Sequence, residues 1–141
     1  MDITLNWAAI GLLTVIHFSL GALWFGPLFG KIWMRIHHGD KKIPDEEMKK
    51  MMEGMWKLML TEFIACGLMV IALACLVGAI PTMSGWQIGL MTWVGFVLPM
   101  SASNVIWGTD SREWMVTKIA LVTGYRLIAF IAIGYILSIW H

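Results

Sequence analysis

The sequence predicts an all-α, polytopic membrane protein, with four transmembrane helices in one bundle and an amphipathic helical loop on the cytoplasmic side. Three observations predict it. Of the 141 residues 59% are hydrophobic and 13% charged, about half the roughly 25% charge of a soluble domain, and the mean hydropathy is +0.76. Four apolar stretches approach the roughly 20 residues that a bilayer span requires. The basic residues are confined almost entirely to alternate loops. At this length one bundle over residues 1–141 is expected, without a second domain.

The first span is expected at 3–25, Ile3–Phe25, closed by Pro27 and Gly30. Met1-Asp2-Ile3-Thr4 has no positive n-region and no small-residue cleavage site follows, so this stretch is read as permanent. An amphipathic loop, 28–57, comes next. Phe29, Ile32, Trp33 and Ile36 repeat at helical spacing, with Lys31, Arg35 and His38 opposite. That pattern predicts a short interfacial helix whose basic face meets anionic lipid headgroups. Pro44 ahead of Asp45-Glu46-Glu47 predicts a second helix start. Met48, Met51, Met52, Met55 and Met59 form its apolar stripe, and Glu46/Lys50, Lys49/Glu53 and Glu53/Lys57 its i, i+4 pairs. This helix is expected to run into the second span, with Gly54 as a hinge. The remaining spans are expected at 58–80, 86–107 and 114–139. Pro81 with Ser84-Gly85 makes one turn between them, and Gly108-Thr109-Asp110-Ser111 the other.

Seven of the ten Lys and Arg residues lie in the first loop, and Arg112 in the third. The positive-inside rule then puts loops one and three in the cytoplasm and both termini outside, as in a bacterial inner membrane. Trp7, Trp86 and Trp140 fit the outer aromatic belt, and Trp24, Trp107 and Trp114 the inner one.

Function classes narrow by chemistry. A net charge of +1 gives no reason to expect nucleic acid as a partner. Cys66 and Cys75 are separated by about 13 Å of helix rise, too far for a disulfide. The methionine stripe has the thioethers that suit Cu(I), but its spacing equally fits amphipathic packing. His37-His38-Gly39-Asp40 is a metal-site candidate against the plainer reading of solvated loop residues. Neither is backed as a metal site, and no cofactor is expected. CxxC, HExxH, a Walker loop and a nucleophile elbow are all missing, so no catalytic motif supports an enzyme.

Charge inside the spans is the sharpest signal. Arg126 lies mid-way along the last apolar run, and a guanidinium that deep needs a partner, a hydrated cavity or an interface. Counted by depth, Glu62, Asn104 and Lys118 fall nearest the inner interface, while His17 and Ser101 lie closer to the midplane. Together with Arg126 these are the candidate ligand- or ion-binding residues. Glu62 and Lys118 share a depth and are expected to pair, unless both snorkel to water. Glu62 counts as too shallow for Arg126, whose expected partners are His17, carbonyls freed near Pro99, the hydroxyls of Ser101 or Tyr125, or a bound anion. A structural tie, ligand binding and a subunit interface all remain open for Arg126. His17 reads as a hydrogen-bonded core residue or a proton relay. Gly85 and Gly89 form a GxxxG pair and Ala65, Ala72 and Ala79 recur every seven residues, surfaces that let helices approach within or between chains.

The run Gly21-Ala22-Leu23-Trp24-Phe25-Gly26-Pro27-Leu28-Phe29-Gly30-Lys31-Ile32-Trp33-Met34 resembles the signature of the domain-of-unknown-function family 1761, small and mostly bacterial four-span membrane proteins. The resemblance continues in Trp93-Val94-Gly95-Phe96-Val97-Leu98-Pro99, with Ser101 and Asn104, and in the layout of the last span. That family tends to carry tyrosine and a small polar residue where this chain has Phe25-Gly26. The resemblance implies the architecture and brings no activity. The leading expectation is a membrane protein that binds or conducts a small solute or ion as an oligomer. The alternatives are an accessory subunit of a larger membrane complex and, third, an enzyme acting on a lipid or quinone. The expected partners are the lipid bilayer with its anionic headgroups, further copies of the chain, or other membrane subunits.

Overall fold

The computed structural model describes residues 5–109 and 111–140; the first residues of the expected first span and Asp110 of the third turn lie outside them. The helices are α1 (Trp7–Leu23), α2 (Gly30–His38), α3 (Asp45–Met52), α4 (Met55–Ala79), α5 (Gly85–Thr92), α6 (Leu98–Ile106) and α7 (Met115–Ile139). A π-turn, Trp24–Leu28, prolongs α1, and another, Trp93–Val97, joins α5 to α6. A 3₁₀ turn, Arg112–Trp114, leads into α7. Among the described residues, four stretches are therefore long and apolar enough to cross a membrane: Trp7–Leu28, Met55–Ala79, Gly85–Ile106 and Arg112–Ile139. The protein is an all-helical multi-pass membrane protein, with span limits within about one turn of those expected.

Local chemistry sets the ends. The Asn6 side chain accepts from the Ala9 N–H at 3.1 Å and opens α1. Pro44 precedes α3, whose first turn holds Asp45, Glu46 and Glu47 as the sequence suggested. The expected continuous helix from α3 into the second span is not formed. Gly54 adopts φ +88, a left-handed conformation that only glycine takes without strain, and α4 starts afresh at Met55. Glu53 and Lys57 thus fall on either side of a break and do not share a helix face.

Spans one and three run in the same direction, since the starts of α1 and α5 both lie beside the end of α7. We call that end distal and the end carrying α2 and α3 proximal. The core lies in the distal half: Ile10 and Leu13 of α1, Val70, Leu73, Ala74 and Val77 of α4, Ile88 of α5, and Ala129, Phe130, Ile133 and Leu137 of α7. Here α5 and α7 meet through bare backbone. A Cβ on Gly85 would strike the Gly134 carbonyl, and one on Gly89 the Phe130 carbonyl. The GxxxG pair therefore packs inside the chain, where close approach replaces the missing hydrophobic drive between helices in lipid.

Candidate functional site

Both π-turns begin with tryptophan and are closed the same way. The Phe29 N–H donates to the Trp24 carbonyl at 2.9 Å, and the Leu98 N–H to the Trp93 carbonyl, each five residues back. Prolines explain the widening. Pro27 lies in the first turn and Pro99 just beyond the second, and each lacks an N–H and crowds the carbonyl four residues earlier. Such turns occur mostly singly within helices and often beside functional sites.

The two tryptophans then reach α7. Trp24 Nε1–H donates to the Leu121 carbonyl at 3.0 Å, and Trp93 Nε1–H to the Thr123 carbonyl at 3.0 Å. Trp24 is thus turned into the bundle, and its expected role in an aromatic belt gives way to an interhelical bond. Lipid supplies no hydrogen-bond partner for a buried indole, and a neighbouring carbonyl does. Gly124 follows directly after Thr123; a Cβ there would stand 3.1 Å from the Trp24 ring. The clamps fix α7 immediately before Tyr125 and Arg126.

Two cavities adjoin that segment. One, about 630 Å³, is walled by α1, α4 and α7, with Trp33 of α2 at its proximal side. It includes His17, Phe25, Glu62, Cys66, Tyr125 and Arg126. The other, about 400 Å³, lies between α4, α7 and the α5–α6 span, and is lined by Phe96, Val97, Ser101, Asn104 and again Arg126. Each π-turn thus contributes wall residues to one cavity, and Arg126 lines both.

Arg126 Nε–H donates to the Tyr125 hydroxyl at 2.9 Å, with its Cζ 5.4 Å from the Tyr125 ring centroid. Its Nη2 lies 3.9 Å from Glu62 Oε1. Glu62, expected to be too shallow for Arg126, thus stands beside its guanidinium, for two physical reasons. α4 starts at Met55, three residues earlier than counted, which puts Glu62 about a turn deeper along its helix. Side chains also lean toward the helix N-terminus, so the long Arg126 chain reaches back along α7 toward the proximal end. Lys118 lies with Nζ 5.8 Å from the Trp33 ring centroid.

His17 is 1% exposed. The Cys66 backbone lies beside its ring, yet neither ring nitrogen makes a hydrogen bond. The ring sits among aromatic neighbours, 6.2 Å from Tyr125 and 6.1 Å from Phe130. His17 is thus a buried core residue held mainly by ring packing, with the Cys66 backbone as its nearest polar neighbour and neither nitrogen closely hydrogen-bonded, an uncommon state for a buried polar side chain.

Of the six candidate residues, five surround the two cavities: His17 and Glu62 at the larger, Ser101 and Asn104 at the smaller, and Arg126 at both. Ser101 is buried and Asn104 exposed. In the loop, His37 contacts the Trp33 carbonyl at 2.9 Å and Arg35 pairs with Asp40 at 3.1 Å, so that polar cluster is engaged within itself. The sequence reading missed the indole clamps and the π-turns. Their signal is Trp-x-Gly followed by proline, which occurs at Trp24-Phe25-Gly26-Pro27 and, more loosely, at Trp93 to Pro99.

Neither a curated protein nor a solved structure matches the chain. Residues 8–138, nearly its whole length, match the family described as "Protein of unknown function (DUF1761)", and the chain belongs to that family.

Proposed function

We propose that the chain binds a small solute within the membrane, in the larger cavity, and that the solute meets Arg126 on passing toward the smaller one. The observation that carries this reading is the guanidinium lining both cavities. A permanent charge at such a junction offers a polar solute an anchor and opposes the free passage of bare hydrocarbon. In this reading the proximal loop faces the cytoplasm of a bacterial inner membrane, as the seven basic residues between Lys31 and Lys57 favour. Four helices enclose pockets and no wide pore, so conduction requires two or more copies. For an accessory subunit, the remaining arguments are the basic loop and the partly exposed face of Ala65, Ala72 and Ala79, because Gly85 and Gly89 are already covered by α7.

Val122 lines the larger cavity and is partly exposed, so it provides a reporter position. In proteoliposomes of the Cys66→Ser, Cys75→Ser, Val122→Cys protein, N-ethylmaleimide is expected to alkylate the introduced thiol in the folded state. Gly21→Trp, which fills the cavity beside the Tyr125 ring, is expected to slow that reaction severely. Alkylation that appears only after denaturation in SDS sinks the reading.

A further inference from the structure

The occupant of the larger cavity can be specified more closely, given the reading that this cavity binds a solute. Most of its wall is apolar, with Phe18, Phe25, Trp33 and Met59 offering rings and a thioether. Its polar groups are few and unequally held. A guanidinium has five N–H donors, and Arg126 places Nε on the Tyr125 hydroxyl. Its Nη2 stands 3.9 Å from Glu62, roughly 1 Å beyond a charge-assisted hydrogen bond. The two partners also differ in freedom: the Glu62 side chain is 48% exposed and that of Arg126 25%. A rotamer change takes Glu62 out of the pair, while the Tyr125 ring and hydroxyl keep Arg126 in place. His17, in the same wall, has two ring nitrogens without a hydrogen bond.

We infer that the larger cavity takes an anionic amphiphile: one oxyanion, such as a carboxylate, on an apolar chain or ring, whose headgroup displaces Glu62 from Arg126. The oxyanion accepts the two parallel N–H bonds that a guanidinium fork presents. A small rotation of the His17 ring turns a nitrogen toward the same headgroup and gives that buried donor an acceptor. The apolar body lies against the aromatic wall. Glu62 then acts as a stand-in for the ligand, screening Arg126 when the cavity is empty and moving outward when it is filled. A cationic amphiphile would instead seek Glu62 and the ring faces, and would meet Arg126 as a like charge.

The test uses the intact protein in phosphatidylcholine nanodiscs, with empty nanodiscs as the blank, at a mildly alkaline pH that ionises a carboxylic acid. Radiolabelled dodecanoate, dodecanol and dodecylammonium serve as probes with matched tails. Dodecanoate is expected to bind about tenfold more tightly than dodecanol, the increment of one charge-assisted contact. Arg126→Gln removes that preference, so that dodecanoate binds no more tightly than dodecanol. Glu62→Gln, which deletes the competitor at a half-exposed position, tightens dodecanoate binding about threefold or more. A gain of that sign does not arise from a damaged fold, and it keeps the test decisive if Arg126→Gln misfolds. Equal affinity for dodecanoate and dodecanol, or tightest binding of dodecylammonium, overturns the anion assignment and leaves solute binding in the cavity standing. Failure of all three probes to bind overturns both.

Discussion

In the distal half of the bundle, α5 and α7 touch through bare backbone at Gly85, Gly89 and Gly134, whereas farther along the same two spans a cavity of about 400 Å³ opens between them and α4. The glycine contact allows no side chain between the helices. Farther along, the third span widens into its π-turn, and the indole of Trp93 becomes the strut that holds the separation. One half gains rigidity from shape, and the other keeps open space through a few directional bonds. The close contact at one end is what allows looseness at the other, since α7 cannot drift while its distal end is locked.

This contrast yields a graded set of expectations. The largest effect belongs to Gly85→Leu, which drives a branched side chain into the Gly134 carbonyl. A loss of about 3 kcal/mol or more is expected, read as collapse of the folded fraction in SDS titrations; tolerance of leucine there would dissolve the distinction between the halves. Next come matched truncations. Leu13→Ala in the distal core is expected to cost about 2 kcal/mol, mostly lost packing contacts because lipid solvates the exposed surface well. Val122→Ala in the cavity wall is expected to cost less than about 1 kcal/mol. Thermal unfolding in detergent compares them, and equal shifts would show the proximal half to be as tightly packed as the distal one. Trp93→Phe keeps the ring and deletes the donor to the Thr123 carbonyl, an expected loss of about 1 kcal/mol. Amide exchange near Thr123 should accelerate with it, while exchange near Gly134 stays slow; acceleration at both would mean that the halves unlock together. Glu62→Gln is the smallest. A half-exposed pair at 3.9 Å is expected to contribute below about 0.5 kcal/mol to stability. A large drop in denaturation midpoint would make Glu62 a structural partner of Arg126.

The distal half was the more legible of the two. Hydropathy located all four spans, and the Gly85/Gly89 spacing announced close packing, although only the fold shows that the partner is α7 in the same chain. Pro44 with its acidic followers marked the start of α3, and Gly54 was noticed as a hinge, yet its left-handed backbone breaks the helix outright. In the proximal half the six polar residues were found, and five of them do converge on the two cavities. Their pairing was missed because counting depth along each span treats side chains as points. Arg126 bridges the apparent gap to Glu62 by its own length and lean. The bond made by Trp24 was not legible for a related reason. Position along a span says how deep a residue lies but nothing about which way it faces. A cavity leaves no pattern in a one-dimensional string at all.

The two indole clamps, the glycine contact and the Arg126 pair share one participant. The Leu121 and Thr123 carbonyls, the backbone at Gly134 and the Arg126 guanidinium all belong to α7, which packs against the other three spans. It is also the last of the four to be synthesised. While a ribosome is still making it, three earlier spans are already in lipid with two indole donors and a glycine face awaiting their complement. An interrupted fourth span therefore leaves two indole N–H groups and a glycine face without the complement that α7 supplies.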